Sequence, residues 1–266
     1  MIPGIVFCLE TTGIGADKTV ALVKESGDDY SNAAASLFVD ELRSLARDRF
    51  NLKFVEKVTG YDVRKIDEAL LSAIANPDVD VVYASGFLTS ERASQIPDSS
   101  RSKPIVAAAP IFTDLRTRPI SREGTSAKPN FTFISQPSRI ASDLSLLSSL
   151  TNSSVLHCPI DQSLVYDDSE VGEVAKGLQK ELGIELRLYP TEPSVTAVLA
   201  AIPSSAKAVY IPTLPRIAKP DLRRIFETLA KRGAVTVSML GREGVELGAM
   251  AGLSRDNRAA IARRSA

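Results

Sequence analysis

The sequence predicts an α/β protein of two Rossmann-like lobes, each with a parallel central sheet. Three observations carry this. Short, near-continuous apolar runs recur along the chain, as strands covered on both faces require. Between them lie stretches of about 10 to 15 residues with helical apolar spacing, the pattern of βαβ units. The alternation breaks once, over residues 110–129, where no apolar period survives and Arg, Thr, Gly and Ser gather as in a linker.

The elements follow in order. Residues 19–24 form a short apolar strand. A helix begins near residue 31, with Ala34, Phe38, Leu42 and Leu45 on one face. Residues 52–58 alternate with period two. Asp62 caps the next helix, whose apolar face is Ile66, Ala69, Leu70, Ala73 and Ile74, and Asn76-Pro77 stops it. A strand over 79–84 runs into Ser85-Gly86, a short helix spans 88–95, and 104–109 is a strand entered through proline. Past the linker, 130–135 is a strand and Ile140, Leu144 and Leu147 mark a helix. A strand at 155–158 precedes a helix marked by Val171, Val174, Ala175, Leu178 and Leu182, which ends at Gly183, suited to a left-handed cap. A strand over 184–189, a helix over 195–202 and a strand over 208–211 come next. Leu222, Ile225, Phe226 and Leu229 mark a helix ending at Gly233; 234–239 and 247–253 read as strands, and 256–264 as a helix.

The 266 residues suit one large domain or two medium ones, and 44% apolar content supplies a core. The 32 basic and 32 acidic residues cancel, which removes the electrostatic case for nucleic acid or an anionic membrane as partner. Cys8 and Cys158 stand far apart, able to pair but not required to, and His157 is the one histidine. With no CxxC, the usual zinc ligands are missing and no metal is expected. No apolar run reaches the roughly 18 to 20 residues that span a bilayer. Residues 1–18 have the short apolar run of a secretory-signal remnant, without a basic n-region and interrupted by Glu10.

Catalytic motifs are scarce. No glycine-rich turn is followed by Lys and Ser or Thr, so there is no phosphate loop. Thr12-Gly13-Ile14-Gly15 precedes the first strand instead of following it, against a dinucleotide site, and nothing calls for a cofactor. A nucleophile elbow needs glycine on both sides of the serine, yet Ala84 precedes Ser85. A hydrolase would have to use Ser85 with His157 as base, or Cys158. The plainer reading makes His157 a strand-terminal residue and both cysteines small buried hydrophobes. Asp28, Asp29, Asp114, Asp161, Asp167 and Asp168 fall in loops, where carboxylates are usually solvated or cap helices.

Position says more than motif. In open parallel sheets ligands bind beyond the carboxyl ends of the strands. Those ends are rich in Ser, Thr, Gly, Tyr and Phe, residues that hold a carboxylate through hydroxyls and free backbone N–H groups and close over an apolar body. The candidate ligand-binding set is Ser26, Asp28, Tyr30, Ser85, Gly86, Phe87, Thr89, Ser90, Ala109, Phe112, Tyr166, Leu214 and Leu240, with no catalytic residue.

Five stretches give the chain a resemblance: "VALVKESGDDY" (20–30), "NPDVDVVYASGFLTS" (76–90), "KPIVAA" (103–108), "AVYIPTLPRI" (208–217) and "SMLGREGVELGAMAGL" (238–253). Their order and spacing over residues 19–264 resemble the ABC-transporter substrate-binding proteins of the periplasmic type I fold, in the branch often encoded beside outer-membrane efflux proteins. The resemblance implies two lobes joined by a hinge, a small ligand such as an amino acid or organic anion held between them, an ABC permease as partner, a monomer, a periplasmic or extracytoplasmic location, and no catalysis. It implies a first lobe of 19–115 plus 237–266 and a second of 116–236, with further helix and a final strand beyond Arg263-Arg264. A ligand-sensing or structural module of the same fold, without transport, is the alternative.

Overall fold

The computed structural model describes residues 15–47, 49–108, 126–133, 140–165, 168–253, 262–263 and 266, and for residues 29, 30, 164, 168–171 and 174 the backbone alone. The described residues divide into two compact units: those within 15–108, 126–133 and 262–266 form the first, and those within 140–253 the second.

The first unit holds a five-stranded sheet, all parallel: β1 (Ala16–Lys24), β2 (Phe50–Val58), β3 (Val81–Ser85), β4 (Ile105–Ala107) and β5 (Phe131–Phe133). Their spatial order is β2-β1-β3-β4-β5. The order reverses between β1 and β3, so the crevice of this doubly wound sheet lies beyond the carboxyl ends of those two strands. Three helices cross over: α1 (Asp29–Ala46), α2 (Val63–Ala75) and α3 (Phe87–Gln95).

The local reasons are visible. Asp28 caps α1, its side chain accepting from the Ser31 N–H at 2.7 Å. Asp62 caps α2 as the sequence predicts, accepting from the N–H groups of Arg64 and Lys65. Ile66, Ala69, Leu70 and Ile74 bury the apolar face of α2, which packs on β1, β3 and α3. On the α1 side, Val20, Leu22, Phe38 and Tyr83 share a core, and the Phe38 and Tyr83 rings stack with centroids 3.7 Å apart.

The second unit repeats the scheme. Its parallel sheet has the order β7-β6-β8-β9, from β6 (Val155–Asp161), β7 (Glu185–Thr191), β8 (Ala208–Ile211) and β9 (Val235–Ser238). Helices α4 (Ile140–Thr151), α5 (Asp168–Leu182), α6 (Val195–Ala201) and α7 (Lys219–Lys231) cover it. Alternation along β8 divides the core. Ala208 and Tyr210 pack with Leu144, Leu147 and Leu178, while Val209 and Ile211 pack with Val198, Ile225, Phe226 and Leu229. Gly183 and Gly233 take positive φ, 65° and 74°, just past α5 and α7, where the sequence ends both helices; at Gly183 this is the left-handed turn expected.

The structure departs from the sequence reading at the element level in three places. The strand expected at 130–135 pairs with β4, so it belongs to the first sheet. The stretch from 237 does not return to the first sheet: β9 lies in the second, and the described residues up to 253 group with that unit. Residues 247–253 form no strand but a single bridge, Ala251 to Val237, after a short helix α8 (Arg242–Glu246) that the sequence did not suggest. Short edge segments carry few residues, so local periodicity gives little hold on where they pair. Most of the expected linker, 110–129, and most of the expected helix, 256–264, lie outside the described residues.

Candidate functional site

The crevice of the first sheet is built from the ends of β1 and β3. Ser85 ends β3 in register with Lys24, and the pairing continues one step, with Glu25 N–H donating to Ser85 O at 3.4 Å. The chain then turns through Gly86, φ 105°, into α3. Gly86 is the N-cap of α3, so no side chain of the cap residue can satisfy the first N–H groups, and the first turn holds no acidic residue.

Glu25 supplies what is missing. Its Oε2 accepts from the Leu88 N–H at 2.6 Å and from the Thr89 N–H at 3.2 Å, and the Phe87 N–H also bonds to this carboxylate. A helix N-terminus is a ready anion site, and here the anion is the chain's own side chain. The approach depends on glycine: a Cβ on residue 86 would fall within 2.6 Å of the Glu25 Cγ and closer still to its carboxyl carbon. Burial pushes the Glu25 carboxyl up from 4.5 to about 7, against the pull of the three N–H groups, with the Asp28 charge adding to the rise.

Around this contact stand Ser26, whose Oγ accepts from the Asp28 N–H at 3.0 Å, and Tyr61, whose hydroxyl lies 3.5 Å from Asp28 Oδ2. Tyr61 follows β2 with φ 60° and donates its N–H to Glu25 O at 2.7 Å. Burial, and then the charges of Glu25 and Asp28, push its phenol up to about 12, with a hydrogen bond to Ser26 working the other way.

The expected ligand residues sort accordingly. Ser26, Asp28, Ser85, Gly86, Phe87 and Thr89 gather at this one edge. Ser90 belongs to the same turn, but its buried hydroxyl donates to Ala84 O at 3.1 Å. Thr89 is wholly buried, and among the described residues its Oγ1 has no hydrogen-bond partner. Tyr30 lies in α1, its side chain not described; Ala109, Phe112 and Tyr166 lie outside the described residues. Leu214 is buried in the second unit's core, and Leu240 packs against that core. Glu25 and Tyr61 were not foreseen. The signal for Glu25 was a helix start with glycine where a capping side chain belongs.

The second sheet reverses its order between β6 and β8, and its crevice also holds a carboxylate. Asp161 ends β6, 2% exposed. It accepts from Arg216 Nε at 2.9 and 3.0 Å, from Arg216 Nη2 at 2.5 Å, and from the Ser163 N–H and hydroxyl at 2.9 and 2.8 Å. Arg216, with Gln162, Ser163, Val165 and Pro190, lines a pocket of about 410 Å³. The sequence reading places Asp161 in a loop and includes neither it nor Arg216 in the ligand set.

The residues suited to chemistry are buried or already hydrogen-bonded. Cys158 is a free, buried thiol that burial pushes up to about 12. His157 Nδ1 hydrogen-bonds the Tyr189 hydroxyl at 2.8 Å, and burial and the Arg187 charge lower its pKa. Among the described residues no cluster of His, Cys, Asp and Glu could hold a metal ion, and no helix is long and apolar enough to cross a membrane.

No family model matches the sequence, and no curated protein matches it. Solved structures do. A conserved domain protein from Vibrio cholerae is 18% identical with a TM-score of 0.69, over 93% of this chain and 82% of that one. The ABC domain in complex with L-Trp from Streptococcus pneumoniae is 13% identical with a TM-score of 0.70, over 94% of this chain and 82% of that one. The branched-chain amino acid transporter substrate-binding protein LivJ from Streptococcus pneumoniae, in complex with isoleucine, is 13% identical with a TM-score of 0.59, over 88% and 67%. At such identities the likeness is one of fold, and it is the type I periplasmic-binding-protein fold that the sequence resemblance implied.

Proposed function

We propose that this chain is the solute-binding component of an ABC-type transport system, holding a small organic molecule and doing no chemistry on it. The observation that carries the reading is the fold shared over 93–94% of the chain with solved structures that include an ABC domain in complex with L-Trp. Each of its two sheets has polar side chains at its switch point, where a doubly wound sheet receives a ligand. An ABC permease is the partner this role requires, the location is extracytoplasmic, and the working form is a monomer.

The absence of catalysis in this reading rests on the state of the candidate groups. The Cys158 thiol is buried and far from ionised at neutral pH. Ser85 is buried, and among the described residues no imidazole or carboxylate hydrogen-bonds its hydroxyl, while His157 is held by Tyr189. A hydrolase needs one of these as an activated nucleophile.

A thermal-shift screen of metabolites tests the role. A solute that binds the folded chain raises its melting temperature by mass action, by about 3 kcal/mol of stability at a hundredfold excess over Kd. Silence across amino acids, amines, organic acids, sugars and nucleosides would count against it.

A further inference from the structure

We propose that Glu25 is a specificity-determining residue: as a built-in carboxylate on the N-terminus of α3, it excludes a solute's carboxylate from the first unit's switch point. The proposal deepens the solute-binding reading and rests on it. Three observations support it. The N–H groups of Phe87, Leu88 and Thr89 donate to one carboxyl group, so this turn takes a group of that shape. Gly86 has no Cβ to block that anion, and its φ of 105° aims the helix start at it. The Thr89 hydroxyl in the same turn is wholly buried and has no hydrogen-bond partner among the described residues, so the turn holds a polar group that its own side chains leave unsatisfied. The edge is then left with Asp28 and the Tyr61 hydroxyl, which suit a neutral or cationic group of the solute better than an anionic one.

The test uses the full chain and acetate, which restores the atoms removed in Glu25→Ala beyond Cβ. The backbone amide resonances of Leu88 and Thr89 are followed by NMR during titration with sodium acetate, with sodium chloride as the ionic-strength control. In the wild type these two amides stay put. In Glu25→Ala they shift saturably, acetate raises the melting temperature, and a variant that folds only with acetate supports the proposal equally. Glu25→Gln, which keeps the side chain in place, stays closed to acetate. The proposal is overturned if the wild-type Leu88 and Thr89 amides titrate with acetate, if acetate binds Glu25→Gln as it binds Glu25→Ala, or if a folded Glu25→Ala ignores acetate. As a readout that helix capping alone would not move, Glu25→Ala is expected to gain about tenfold in affinity for a carboxylate-bearing solute. No gain, with acetate bound, also overturns the specificity role. A silent solute screen would sink the transport reading while leaving the acetate titrations to decide whether the turn is filled.

Discussion

The Glu25 carboxylate sits 2.6 Å from the backbone nitrogen of Leu88, across 63 residues of sequence. That contact joins the end of β1 to the start of α3. It completes a helix whose own N-cap residue is glycine, and it places an ionisable group in the crevice of the first sheet.

The first prediction concerns pH. Glu25 has a folded pKa of about 7 against 4.5 unfolded, so the folded state binds the proton more tightly. Its contribution therefore favours folding at acid pH and is lost as pH rises through about 7. By linkage it costs on the order of 3 kcal/mol at pH 8 relative to pH 5. His157 acts in the opposite sense, because its folded pKa is lowered and its stabilising effect fades as pH falls. The quantity to read is thus the difference between wild type and Glu25→Gln in urea denaturation across this range. The difference is expected to move steadily toward the variant as pH rises.

A second prediction couples Glu25 to Gly86. Gly86→Ala is expected to cost about 2 kcal/mol or more, from the positive φ together with the collision on the Glu25 side chain. In a Glu25→Ala background the collision is gone and only the backbone strain remains. A double-mutant cycle on the denaturation midpoint should show a coupling of about 1 kcal/mol; additive costs would mean that the two residues do not meet.

Much of the architecture could be read from sequence, and the reasons are local. The Ile66, Ala69, Leu70, Ile74 stripe and the Asp62 cap define α2 by spacing alone, and Gly183 and Gly233 mark helix ends by backbone freedom. The strand ends, and with them the edge formed by Ser26, Ser85 and Thr89, follow from the same alternation. What stayed hidden depends on distance in sequence. A glutamate one residue past a strand looks solvated, and only the folded sheet brings Glu25 under a helix that starts at Phe87. Likewise Arg216 and Asp161 lie 55 residues apart and meet because β6 and β8 are neighbours in the second sheet. The three-residue β5 could not be assigned to a sheet, since so short a strand carries no register information of its own.

A third prediction follows from the Asp161–Arg216 pair. The Asp161 side chain is 1% exposed and Arg216 21%, so removing the arginine strands a buried carboxylate, while removing the carboxylate leaves an arginine that reaches water. Arg216→Met is expected to cost about 3 kcal/mol, and adding Asp161→Asn should recover part of the loss. Denaturant unfolding of the two single variants and the double variant checks the order.

A fourth prediction addresses the thiol. In a Cys8→Ser background, Cys158 should resist an aromatic disulfide reagent in native buffer and react fully in denaturant, because the thiol is both buried and protonated. Cys158→Ala should leave solute binding unchanged. Rapid native labelling would show an accessible thiolate and reopen the hydrolase reading.

The most direct measurement of the central claim is calorimetric titration of the wild-type chain with the solute that the thermal-shift screen selects, followed by recovery and chemical analysis of that solute. The proposed function predicts saturable binding of one solute per chain, at about micromolar Kd or tighter, with the solute recovered unaltered. Failure of every screened solute to bind saturably, or recovery of a chemically changed product, would contradict it.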